Sequence, residues 1–111
     1  VTTTTDSAGT ITVSCTVNTV VTVQIGISPT SGSFNPRQMK HATLPDLLNY
    51  NVYRNAARTS IWGDGTGGTA VQSRLIRPGR PRTWNAFGRI VAGQDVTVGN
   101  YTDTLTVTVL P

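Results

Sequence analysis

From residue 101 to residue 109 the chain alternates without a break. Tyr101, Asp103, Leu105, Val107 and Val109 fall on one side, and Thr102, Thr104, Thr106 and Thr108 on the other. A period of two is the signature of an extended strand, whose successive side chains leave opposite faces. Wound into a helix, the same residues would scatter around the axis and bury no common stripe. The pattern also appears near the start, where Ile11, Val13, Cys15 and Val17 alternate with Thr10, Thr12, Ser14 and Thr16. It recurs at Val21, Val23, Ile25 and Ile27. No segment spaces its apolar residues by three and four. Thr is the commonest residue, Glu is absent and Lys40 is the only Lys. Few straight-chain helix formers and many β-branched residues predict an all-β chain.

Turn signals divide the rest. Residues 1–8 are polar and read as a flexible N-terminal segment, with the domain itself over 9–111. Asn18-Thr19 separates the first two runs, so 10–27 reads as a hairpin. Pro29, Gly32 and Pro36 punctuate a long basic loop with room for a short strand at 37–40. Leu48, Tyr50 and Val52 share one face of a strand over 47–53, and 60–62 is a shorter one. A Gly-rich connector at 63–68 leads to a weak strand at 70–76. Another spans 83–91, with Trp84, Ala86, Gly88 and Ile90 on one face. Six or seven short strands joined by turns predict an antiparallel β-sandwich. At 111 residues this is one domain by length, able to bury about two-thirds of its unfolded surface. No run of about 18 apolar residues occurs, so a membrane-embedded helix is not expected. The start has no charged-then-apolar pattern, so no signal peptide is expected to remain.

Nine basic and five acidic residues give a net charge of +4. Arg74, Arg77, Arg80 and Arg82 crowd one stretch, Arg-Leu-Ile-Arg-Pro-Gly-Arg-Pro-Arg, a candidate anionic-ligand loop. The plain alternative is a solvated loop braced by prolines. The other basic residues are scattered and no DNA or RNA motif surrounds them, so no nucleic-acid partner is expected. Cys15 and His41 form a conceivable nucleophile and base. A mid-strand Cys between Val13 and Val17 reads instead as an inert core thiol or half of a disulfide. One His, one Cys and scattered Asp residues are too few for a metal centre. The Gly-Asp-Gly-Thr-Gly-Gly run lacks the Gly-Lys-Ser/Thr ending of a phosphate loop. No carboxylate pair stands out among five Asp residues. Asn100-Tyr101-Thr102 fits the glycosylation acceptor pattern, which is too short to be specific. Neither an enzyme nor a bound cofactor is expected. Two features point elsewhere: an odd Cys suggests a partner outside the chain, and a long β-branched last strand offers an edge for strand addition.

Several stretches together resemble the spore coat protein U domain, the secreted pilin-type module of archaic chaperone–usher pili. They are Gly9-Thr10-Ile11-Thr12-Val13-Ser14-Cys15-Thr16 and Leu48-Asn49-Tyr50-Asn51-Val52-Tyr53-Arg54-Asn55-Ala56-Ala57-Arg58-Thr59. They continue with Trp62-Gly63-Asp64-Gly65-Thr66, Phe87-Gly88-Arg89-Ile90 and Ala92-Gly93-Gln94. The last runs from Gly99-Asn100-Tyr101-Thr102-Asp103 through Val109. Order and spacing agree over residues 9–110. Loops 28–46 and 74–83 match poorly.

The resemblance implies an incomplete immunoglobulin-like antiparallel β-sandwich completed by donor-strand exchange. Tyr101, Asp103, Leu105, Val107 and Val109 would then line the donor-strand groove, with Tyr101 bracing a corner by its hydroxyl. Closed core packing is the competing reading of Leu105, Val107 and Val109. Family members usually carry an earlier strand whose Cys pairs with the one matching Cys15, and fibre-forming members carry an apolar donor extension. Neither is seen in residues 1–8. The chain therefore reads as a domain lacking its usual first strand, with the disulfide partner of Cys15 outside it. Implied partners are neighbouring pilin subunits, a periplasmic chaperone and an outer-membrane usher, in a homo-polymer or strand-exchanged oligomer. Implied location is the periplasm and then a secreted surface fibre serving adhesion and biofilm formation. Alternatives are a spore or cell-coat protein of the same fold, and a carbohydrate- or polyanion-binding β-sandwich.

Overall fold

The computed structural model describes residues 3–111, which hold eight strands and no helix. They are β1 (Thr5–Val13), β2 (Thr19–Ile25), β3 (Arg37–His41), β4 (Leu47–Tyr53), β5 (Gln72–Ile76), β6 (Arg82–Ile90), β7 (Tyr101–Thr102) and β8 (Val107–Leu110). One sheet is ordered β1-β6-β4-β3-β7 and the other β5-β2-β8. Every strand pair is antiparallel. Val21, Val23 and Ile25 of β2 pack with Trp62, Ile76 and Trp84 in one buried cluster. Each such side chain contributes roughly 1.5–3 kcal/mol of burial. Trp62 satisfies its indole N–H on the Val23 carbonyl at 2.9 Å, as a buried donor must.

The first two runs do not form a hairpin. β1 pairs with β6 and β2 pairs with β5 and β8, so 14–18 crosses from one sheet to the other. Asn18-Thr19 supplies no glycine for a tight hairpin turn, and each run has an apolar face that the opposite sheet can cover. Cys15 consequently lies beyond the end of β1, in the crossover, half-buried against the core.

Residues 5–8, read as loose, are the start of β1 and pair with residues 87–90 of β6. Their side chains are exposed, so no apolar face announced a strand. The ladder and the Asp6 carboxylate hold them instead: Arg89 Nε donates to Asp6 Oδ1 at 2.8 Å and Nη2 to Oδ2 at 3.1 Å. Val1 and Thr2 of the segment read as flexible fall outside the described residues.

The last run is split. β7 joins β3 in the first sheet, whereas β8 joins β2 in the second. Asp103 marks the departure, accepting hydrogen bonds from Thr30 Oγ1 at 3.0 Å and the Tyr50 hydroxyl at 2.5 Å. The Gly26 amide donates to the Thr106 carbonyl at 2.9 Å and guides the chain into β8.

Arg37, read as part of a basic loop, is wholly buried in β3. Its guanidinium donates to the Ile25, Gly26 and Trp62 carbonyls and to Asn51 Oδ1 at 2.7–3.2 Å. Burial draws its pKa below the usual guanidinium value. One side chain thereby ties β2, β4 and the 61–63 segment together.

Candidate functional site

The most informative surface lies where the core stops. In the β2–β8 ladder Val23 pairs with Val109 and Ile25 with Val107. Directly paired antiparallel residues point to the same face. Val23 and Ile25 are 0% and 3% exposed, yet Val109 and Val107 are 42% and 43% exposed. The core face of β8 is thus uncovered, and among the described residues no strand lies beside its outer edge. Next to it opens a cleft of about 390 Å³, walled by Val13, Cys15, Val17, Val21, Val109 and Pro111 among others. It runs between the 13–17 end of the first sheet and the free edge of the second. An extended segment with apolar residues at every second position has the geometry to cover two such Val side chains and pair with a strand edge.

The expected groove residues separate into three groups. Val109 lines the cleft and Val107 is exposed on the same strand face. Leu105 is half-buried against the core. Tyr101 and Asp103 are in the framework of the first sheet and its exit, not on β8. Tyr101 donates its hydroxyl to the Thr97 carbonyl at 2.5 Å and meets the His41 ring edge-on at 5.2 Å. The strict period of two across 101–109 concealed the change of sheet. Val13, Val17 and Val21 were legible as apolar strand residues, but a hairpin reading turned them away from the last strand.

Cys15 is a free thiol, half-buried in the cleft wall. His41 does not address it. Its Nδ1 accepts from the Thr43 and Leu44 amides, each at 3.1 Å. That leaves Nε2 to carry the ring hydrogen and donate to the Val98 carbonyl at 3.1 Å. The ring serves a loop, not a nucleophile.

The block from Asn49 to Thr59 is a structural knot. Asn51 is buried; its amide donates to the Phe34 carbonyl and its oxygen accepts from Arg37 and the Val52 amide. Asn55 Oδ1 accepts from the Thr59 and Ser60 amides. Arg58, at φ 57°, donates to the Gly88, Ala56 and Ser7 carbonyls and stacks its guanidinium 5.5 Å from the Phe87 ring. A left-handed non-glycine residue is held there by bonds to both neighbouring strands. Tyr50 is pushed well above the usual tyrosine range, first by burial and then by its hydrogen bond to Asp103. It therefore remains a donor throughout the neutral range.

The Spore Coat Protein U domain model matches residues 1–108. The chain belongs to the Spore Coat Protein U domain family. Protein U of Myxococcus xanthus is 32% identical over 106 residues, covering 91% of this chain and 58% of that protein. A solved relative is in the chaperone–tip adhesion subunit pre-assembly complex, CsuC–CsuE, of the archaic chaperone–usher Csu pili of Acinetobacter baumannii. The match has a TM-score of 0.66 and 27% identity, over 95% of this chain and 34% of that one. The chain thus spans under two-thirds of each relative's length. The antiparallel sandwich matches the fold of that chaperone–usher pilus protein, and in this chain Arg58 of the 49–59 knot bonds to both β1 and β6.

Proposed function

We propose that this chain is a pilin-type subunit or tip-adhesin domain of a secreted chaperone–usher fibre, non-enzymatic, completed by a strand from another polypeptide. The observation that carries the reading is the exposure of Val107 and Val109 opposite the buried Val23 and Ile25. An incoming strand pairs with the outer edge of β8 and places alternate apolar side chains over the cleft. Each well-buried aliphatic side chain gives roughly 1.5–3 kcal/mol, so four or so such contacts make an exchange that scarcely reverses. A periplasmic chaperone lends the strand first, and the neighbouring subunit replaces it at the usher. Adhesion and biofilm formation follow from display on the cell surface. The likeness to a chain of a chaperone–tip adhesion subunit pre-assembly complex supports a chaperone as one of these partners. Cys15 pairs in this reading with a Cys on a segment outside these 111 residues, consistent with its place in the cleft wall.

The test is a synthetic alternating-apolar peptide added to the pure domain. It should raise the melting temperature, while the same residues scrambled out of alternation should not. Equal shifts, or none, would count decisively against the groove. A spore or cell-coat protein assembling by the same exchange is the second reading, favoured by the family's description. A chaperone gene and an usher gene beside this one would decide for the fibre.

A further inference from the structure

We propose that the turn joining β5 to β6 binds an acidic polysaccharide through Arg77 and Arg80, with Arg82 completing the site. The site does not depend on the fibre reading. Pro78 and Gly79 close the turn, Gly79 at φ 70°, and the Arg80 amide donates to the Arg77 carbonyl at 3.1 Å. Arg77 and Arg80 are thereby set directly opposite each other as a bridge pair. Like charges in that position repel, and two prolines keep the turn from relaxing. Arg77, Arg80, Pro81 and Arg82 surround a cleft of about 270 Å³. Among the described residues no carboxylate reaches Arg74, Arg77, Arg80 or Arg82; the ion pairs found belong to Arg58 and Arg89 with Asp6. The other five basic residues match the five Asp in number, so these four arginines equal the whole net charge of +4. Repelling, exposed guanidinium groups without an internal counter-ion are arranged for an external anion, which they grip in pairs of hydrogen bonds.

Residues 73–83 contain no aromatic side chain on which a base could stack, and Trp84 is buried. Leu75 is the one large apolar side chain exposed in that stretch, too little to anchor in a lipid surface. A chain carrying repeated sulfate or carboxylate groups fits what remains.

The whole chain should bind heparin fragments or polygalacturonate in a salt-dependent way; the two probes separate sulfate from carboxylate as the anion. Arg77→Ala with Arg80→Ala should weaken binding about tenfold or more and flatten the slope of log affinity against log salt by about 1.5 units. Both side chains lie outside the strands, so the ladder is left intact. Lys40→Ala with Arg54→Ala removes the same charge elsewhere and should change affinity little. An equal loss in that control, no binding to either saccharide, or tighter binding to oligo-dT or to phosphatidylserine vesicles would overturn the proposal.

Discussion

At the residue scale the fold rests on polar side chains that connect backbone segments. Arg37 has no carboxylate within bonding distance among the described residues; carbonyl oxygens and one amide surround it. Replacement by Lys keeps the charge but loses the planar fork that reaches three carbonyls at once. Arg37→Lys should cost about 3 kcal/mol or more, because buried groups lose charge-assisted partners; urea unfolding of the two proteins measures it. Tyr50→Phe removes one donor from Asp103 and should cost about 1–3 kcal/mol near neutrality. Its pH signature is distinct. The folded pKa of Tyr50 is raised from 10.0. Its contribution is therefore whole below the unfolded pKa and fades as pH climbs past about 10. Wild-type stability should fall above about pH 10 more steeply than that of the Phe variant. Arg37 and Asn51 carry no apolar pattern, which explains why their burial was invisible along the chain. Only the facing elements reveal the carbonyls they serve.

At the scale of elements, β8 and β2 provide an internal comparison. Val23→Ala should cost about 2 kcal/mol, through lost burial and a cavity. Val109→Ala, at a half-open position, should cost under about 1 kcal/mol in the free domain. With a donor peptide bound, the Val109→Ala penalty should rise toward that of Val23→Ala; thermal melts of wild type and both variants, with and without peptide, decide it. β1 is held differently. The Arg89 hydrogen bond keeps Asp6 below the usual carboxylate range. This contribution is present above the unfolded pKa and lost as pH falls through the lower folded value. Asp6→Asn should therefore melt below wild type at pH 7, with the gap closing on acidification. The strands at 47–53 and 82–90 were legible within a residue, because alternation and turn residues coincide there; that at 72–76 was legible only as a weak run, and β3 only as room for a short strand in a basic loop, because no alternation marks it. The start of β1 was not, since polar edge residues need only a ladder partner.

At the scale of the molecule, two open sheets meet with one side uncovered, so protection should be uneven. β2 lies between two strands and inside the core; its amides should exchange slowest. Outward-facing amides of β8 should exchange quickly and become protected when a donor peptide binds, as hydrogen-exchange mass spectrometry would record. The sequence by itself determined the fold class and most strand positions, because side-chain periodicity and turn chemistry are local properties; the family was legible only through the resemblance of its motif stretches. It also marked Val107 and Val109 as apolar residues on a last strand, and the arginines at 74–82 as a cluster. Tertiary structure alone decided which sheet each strand enters. Alternation records a face, not a neighbour: the same period of two continues across Asp103 while the chain leaves β3 and joins β2. That change of partner separates Tyr101 from Val109 and leaves the core face of β8 uncovered.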